Sequence, residues 1–233
     1  MKLVLTRPEG GELADLQADL GRLGIAHMAA PLLDVTYLDP QLKTQPKTLF
    51  LTSTRAVPWI ARHITDKNTA CIVVGEQTAL ALNAAGFNNI LTHQPDAVRL
   101  MAWLAEQQAV NPALPPLPAL YVRARDITAN MPPYADEIIV YETTPVPVLP
   151  ENLRLALQNR EKLLISFLSK RTAAVFADLV ERAGLASSLA QCKGLCLSET
   201  VLFSLRFLPW GHLYACEHPD RQTLLKSVQE QLL

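Results

Sequence analysis

The sequence predicts an α/β protein: two related parallel-sheet α/β domains joined by a two-stranded extended connector, the first domain discontinuous. Three observations carry that expectation. Short apolar runs alternate with stretches of helical periodicity along most of the 233 residues, the pattern of parallel strands covered by helices. One half of the pattern repeats in the other. Two proline-bearing extended stretches separate the copies.

Each element has its own signal. Lys2–Leu5 reads as a strand closed by Thr6-Arg7-Pro8, and Glu12–Leu23 as a helix with Leu13, Leu16, Leu20 and Leu23 on one stripe, stopped at Gly24. Ala26–Ala30 and Thr48–Leu51 read as strands, the second ending in Thr52-Ser53-Thr54. A helix is expected from about Arg55 to His63, with Pro58 tolerated only in its first turn. Ala70–Val74 is a strand, Gln77–Ala85 a helix closed by Gly86, Leu91 the start of a short extended piece, and Ala97–Gln107 an amphipathic helix. Ala119–Val122 and Glu137–Tyr141 are further strands, and the proline-rich 111–120 stretch between helix and strand reads as a surface loop.

After Pro150 the pattern restarts. LFLTSTRAV (49–57) resembles LISFLSKRTAAVF (164–176), CIVVGEQTALAL (71–82) lines up with CKGLCLSETVLFSL (192–205), and DAVRLMAWLAEQ (96–107) with DRQTLLKSVQEQL (220–232). The later copy lacks an opening strand and helix, which the first 33 residues can supply. The expected domains are therefore 1–35 plus 146–233 and, inserted between them, 36–145, with connectors near 34–37 and 143–148. A cleft between such domains is the expected ligand site.

Composition excludes several classes. A formal net charge of -1 argues against a nucleic-acid surface. The opening MKLVLTRPEGG has neither the form of a signal peptide nor that of an anchor, and no apolar run approaches the ~18 residues a membrane helix needs. The four scattered cysteines read as reduced thiols in a cytoplasmic protein. Cys192, Cys196, Cys216 and His218 match no usual zinc spacing, and His27, His63 and His93 are isolated. There is no Ser-His-Asp order, phosphate-binding glycine loop or His-Glu-x-x-His.

Ligands of parallel sheets sit beyond the carboxyl ends of the strands. The residues there are hydroxyls, glycine and cations: Thr6 and Arg7, Thr52 to Arg55, Gly75 to Thr78, Arg123 and Arg125, Ser169 to Thr172, and Ser198 to Thr200. Exposed amides at helix starts suit anions, including carboxylates. The plain alternative is that each serine or threonine only caps its helix, that Arg123 and Arg125 pair with Asp126 or Glu137, and that Tyr141 packs.

In order, VLTRPEGGELADLQADLGRLGIAHMAAPLLDV (4–35), FLTSTRAV (50–57), VVGEQTALALNAAGF (73–87), LYVRARD (120–126), VYETTP (140–145) and FLSKRTAAVF (167–176) resemble uroporphyrinogen-III synthases. The resemblance covers nearly the whole chain. It implies a hydro-lyase of heme biosynthesis that cyclises hydroxymethylbilane to uroporphyrinogen III, inverting the last pyrrole ring through a spiro-pyrrolenine. It implies no metal or organic cofactor, a cytoplasmic monomer, and at most transient contact with the preceding pathway enzyme. Catalysis would come from positioning and electrostatics. By position, Tyr141 matches the family's VYxT tyrosine and would act on the departing hydroxyl, since a phenol of ordinary pKa ~10 donates a proton at neutral pH. Arg7, Ser53, Arg55, Gly75, Thr78 and Arg123 match its binding motifs, with Ser169 and Thr200 as their counterparts in the repeat. Ala124 stands where a glycine often follows the arginine, and Ser198, Glu199 and Val201 depart from the GxxTA pattern. The rival reading is a non-catalytic binder of a tetrapyrrole or other polyanion on the same scaffold.

Overall fold

A computed structural model describes residues 1–126 and 131–232. The chain opens with β1 (Lys2–Leu5), whose last three residues are buried. α1 (Gly11–Arg22) buries Leu13, Leu16 and Leu20. Leu23 leaves the predicted stripe: it is the C-cap residue and 46% exposed. β2 (His27–Ala29), β3 (Leu33–Tyr37) and β4 (Thr48–Leu51) follow. A 3-10 turn (Thr54–Ala56) leads into α2 (Val57–His63), where Pro58 occupies the first turn and no helical amide is needed. Next come β5 (Ala70–Val74), α3 (Glu76–Ala84), β6 (Ile90–Gln94) and α4 (Ala97–Val110), the last capped by Asp96, whose carboxylate accepts from the Arg99 amide at 2.8 Å.

β7 (Ala119–Ala124) is followed by β8 (Ala135–Pro145), which is longer at both ends than the expected 137–141 strand. The rest of the chain is α5 (Glu151–Gln158), β9 (Leu163–Phe167), α6 (Lys170–Arg182), β10 (Lys193–Cys196), α7 (Glu199–Phe203), β11 (His212–Ala215) and α8 (Arg221–Leu232). α5 and β11 are additions to the elements expected from sequence.

The chain divides into two units, Met1–Val35 with everything from Thr144 onward, and Thr36–Thr143. The first unit holds a five-stranded sheet ordered β11-β10-β9-β1-β2, parallel throughout. Both faces are covered, as parallel sheets require. Leu153, Leu157, Phe176 and Val180 of α5 and α6 pack on one face, and Leu13, Leu16, Leu20, Leu224 and Val228 of α1 and α8 on the other. β9, apolar but for Ser166, is buried along its whole length. β1 and β9, far apart in sequence, are also joined by buried hydroxyls: Thr6 Oγ1 donates to the Ser166 carbonyl at 2.5 Å, and Ser166 Oγ to the Val4 carbonyl at 2.9 Å.

The second unit carries a sheet ordered β3-β8-β7-β4-β5-β6. β8, β7, β4, β5 and β6 are mutually parallel. β3 and β8 carry the chain between the units, and the Leu38 amide to Val140 carbonyl and Val146 amide to Leu32 carbonyl bonds show them running in opposite directions. Phe50, Ile72 and Tyr121 pack under Leu100 and Leu104 of α4.

The two sheets have one order. β2-β1-β9-β10-β11 corresponds to β8-β7-β4-β5-β6, but the first pair precedes the repeat in one unit and follows it in the other. Register makes the match residue by residue. Thr48 faces Ala119 and Ala70; Leu164 faces Leu3 and Lys193. Aligning the cap residues Ser53 and Ser169 therefore pairs Arg123 with Arg7 and Gly75 with Ser198.

Candidate functional site

The carboxyl ends of β4, β5, β7 and β8 form one rim of the second unit, and six predicted site residues lie on it: Ser53, Arg55, Gly75, Thr78, Arg123 and Tyr141. The Thr54–Ala56 turn packs against both α3 and β7, which makes the rim continuous. Arg7, Ser169 and Thr200 lie at the corresponding rim of the first unit.

Ser53 follows β4 in extended conformation, and its Oγ accepts from the Arg55 amide at 3.2 Å. Gly75 ends β5 with φ 84 and ψ 134, a backbone region that side chains strain to adopt. Its amide donates to the Gln94 carbonyl at 2.8 Å. That turn starts α3 at Glu76 and buries Thr78, with the Thr78 amide on the Gly75 carbonyl at 3.1 Å. Two helix starts thus meet at one rim, and their first amides lack intrahelical partners.

Tyr141 lies on β8, 8% exposed, with its ring centroid 6.5 Å from that of Tyr37. The β7–β8 register shifts beside it: Arg123 faces Ile139 but Ala124 faces Tyr141, which leaves Val140 as the extra residue. Such bulges re-aim side chains, and they recur next to active sites. The Arg125 amide locks the new register by donating to the Tyr141 carbonyl at 2.9 Å.

Arg123 is an internal brace. Its Nε donates to Glu137 Oε2 at 2.8 Å, with Nη2 ion-paired to the same oxygen at 2.7 Å, and its Nη1 donates to the carbonyls of Ala124 and Arg125 at 2.8 and 2.9 Å. Arg125 pairs with Glu142, neither of the partners considered from sequence. Arg7, in the place equivalent to Arg123, pairs with Glu12 in the first turn of α1. These arginines shape the turns beyond β1 and β7 as paired cations.

The first unit's rim differs. Ser169 caps α6, its Oγ accepting from the Thr172 amide at 3.1 Å. Ser198 occupies Gly75's place with φ -155, ordinary extended backbone. The Val201 amide bonds the Ser198 carbonyl at 3.0 Å just as the Thr78 amide bonds Gly75. Val201, buried, is therefore the counterpart of Thr78, and the expected pairing of Thr200 with Thr78 is corrected. Thr200 corresponds to Gln77; it is exposed, with its Oγ1 3.0 Å from Ser198 Oγ. Glu199 corresponds to Glu76, so a carboxylate opens the helix at both rims.

One rim hydroxyl escaped the sequence reading, and it meets Thr52, which the sequence placed at the strand end. Tyr121 of β7 is 1% exposed, and its phenol lies 3.3 Å from Thr52 Oγ1. Burial pushes the Tyr121 phenol up, against the Thr52 hydrogen bond and the Arg123 charge, while the Tyr141 and Glu137 charges add to the rise. A buried tyrosine hydroxyl needs a partner, so a tyrosine in an otherwise apolar strand was the available signal.

Burial lifts the thiols of Cys71 and Cys196 to about 12, the latter with smaller contributions from Cys216 and Glu199. They are inert core groups rather than nucleophiles. Among the described residues no helix is long and apolar enough to cross a membrane.

Comparison with known proteins gives the following. The family described as uroporphyrinogen-III synthase HemD matches residues 14–226. A solved structure of a mutant uroporphyrinogen III synthase from the extremely thermophilic bacterium Thermus thermophilus aligns over 100% of this chain and 98% of its own, at 16% identity and a TM-score of 0.50, a likeness of fold. Two further structures of the Thermus thermophilus synthase cover 100% of both chains at 15% identity, with TM-scores of 0.42 and 0.43. No curated protein matches significantly.

Proposed function

We propose, since this chain belongs to the uroporphyrinogen-III synthase family, that Tyr141 is its catalytic acid and that the second unit's rim holds substrate carboxylates. The chain is an enzyme of heme biosynthesis acting on a tetrapyrrole. The finer reading is a hydro-lyase that takes hydroxymethylbilane to uroporphyrinogen III, working as a cytoplasmic monomer.

Tyr141 donates its proton to the terminal hydroxyl, which leaves as water. The azafulvene cation left behind is attacked by the substituted carbon of the last pyrrole, forming the spiro-pyrrolenine. The bond from that carbon to its original methylene then breaks. The pyrrole's free carbon closes the ring and loses a proton, which returns to the Tyr141 phenolate. The electron-rich pyrroles drive each step, so the protein's task is to assist departure of the hydroxyl and to hold the chain against simple head-to-tail closure. The Ser53 and Gly75 junctions supply amides for carboxylates, with Arg55 and Thr78 beside them. On the first unit, Arg7, Ser169 and Thr200 are the proposed contacts, and the exposed Thr200 acts there through its own hydroxyl rather than as a copy of Thr78.

The observation that carries this reading is the bulge that sets Tyr141 on the rim where the two helix starts converge. Tyr141→Phe tests it. Removing a general acid costs on the order of 100-fold or more in kcat, with the melting temperature nearly unchanged. A variant that keeps full turnover passes the proton-donor role to water or to the substrate's own carboxylates.

A further inference from the structure

We propose that Tyr121 is a positioning residue for substrate binding: from inside the second unit's core its phenol holds Thr52, and through Thr52 the turn of Ser53 and Arg55. The inference rests on the reading of that rim as the substrate-carboxylate site.

Tyr121 is too deeply buried to touch a substrate, at 1% exposure with its ring among Phe50, Ile72, Leu100 and Leu104. Its hydroxyl nevertheless reaches the carboxyl end of β4, 3.3 Å from Thr52 Oγ1. Thr52 is the last residue before Ser53, whose hydroxyl organises the turn by accepting from the Arg55 amide at 3.2 Å. Arg123 and Tyr141 both act on the phenol electrostatically.

The other unit supplies an internal control. By register, the counterparts of Tyr121 and Thr52 are Leu5 and Leu168, which pack together in the apolar core of the first unit. At these two positions the first unit therefore uses hydrocarbon, and buried hydroxyls sit instead at Thr6 and Ser166, bonded to strand carbonyls. A phenol buried this deeply gains little over a packed apolar side chain, because its hydroxyl must be taken out of water to meet the half-buried Thr52. The presence of the hydroxyl pair at the rim that carries Gly75, Thr78 and Tyr141, and its replacement by leucines at the rim where Ser198 and Val201 stand, point to a task in the active half of the molecule. That task is to fix the amides of the Ser53 turn where a carboxylate meets them.

The test is a cycle of Tyr121→Phe, Thr52→Val and the double variant, with KM and kcat measured separately on fresh hydroxymethylbilane. Uroporphyrin III binding is followed in parallel by quenching of porphyrin fluorescence, and melting by circular dichroism. Each single variant should raise KM and the porphyrin Kd roughly three- to tenfold, the worth of one neutral hydrogen bond. kcat should stay within about twofold, and the double variant should be no worse than the poorer single, since both changes break one link. A lowered melting temperature with unchanged KM and Kd would make the pair merely structural, and additive effects would separate the two hydroxyls; either result overturns the proposal. A wild-type protein that yields no type III isomer, yet binds porphyrin more weakly when Tyr121 is changed, would refute the catalytic reading and leave the positioning role standing. Unchanged binding would remove both.

Discussion

Gly75→Ala isolates the backbone requirement at the centre of the rim. A Cβ on Gly75 would lie 3.8 Å from Thr78 Oγ1, an ordinary contact, so there is room for the methyl group. The cost comes from φ alone: at +84 the residue occupies backbone that side chains rarely adopt, worth about 1–3 kcal/mol. For a chain of 233 residues, at roughly 2–4 °C per kcal/mol, the melting temperature should fall by about 2–12 °C. Relief of the strain would rotate the first amides of α3 away from a bound carboxylate, so KM should rise as well. Ser198→Ala is the matched control, because Ser198 holds the equivalent place at φ -155 and its hydroxyl bond to Thr200 is exposed. It should change stability by no more than about 0.5 kcal/mol. Thermal melting and steady-state kinetics on both variants decide the matter. If Gly75→Ala melts like wild type with unchanged KM, the glycine is incidental and the account of the junction fails.

Other predictions concern the scaffold. Thr6→Val keeps the shape but removes the donor to the Ser166 carbonyl in the β1–β9 seam; a loss of about 1–2 kcal/mol by urea titration is expected, and no loss would mean that the apolar core alone holds the seam. Asp19 joins α1 to α8 through Arg221 and pairs with Arg22 within α1, and the Arg22 hydrogen bond, foremost, holds its carboxyl below the usual 3.8. A depressed folded-state pKa stabilises above 3.8 and loses that contribution as pH falls through the lower value. Asp19→Asn should therefore melt below wild type near neutral pH and converge with it in strong acid; a gap that persists there would assign the effect to packing. All four cysteines are buried, so a thiol reagent should react rapidly only after denaturation, and a fast thiol in the native protein would contradict the packing of β5 and β10.

Much of the fold was legible because the strands that matter most are continuous apolar runs with clear stops. β4, β5 and β9 each end in a serine, threonine or glycine at a helix start, and the repeat of that junction exposed the shared sheet order. β11 was missed because HLYA is short and half-buried rather than apolar throughout. α5 was missed because its amphipathic ENLRLALQ follows directly on the proline-bearing connector. The pairing of Thr200 with Thr78 went wrong for a physical reason. Matching threonine to threonine ignored register, whereas the strand ladders and the first-turn hydrogen bonds place Val201 at Thr78's position. Arg123 was visible as a cation, but its ion pair and three hydrogen bonds depend on Glu137 and on two carbonyls of its own turn, which no spacing rule announces. Tyr121 was hidden by its setting, since a tyrosine between Leu120 and Val122 looks like core, and only the distance to Thr52 gives it a role.

The most direct measurement mixes the purified protein with freshly made hydroxymethylbilane, oxidises the products and separates the type I and type III uroporphyrins by chromatography. The account predicts an excess of type III that scales with enzyme and collapses toward type I with Tyr141→Phe. Type I alone, formed at the rate of the protein-free control, would contradict it.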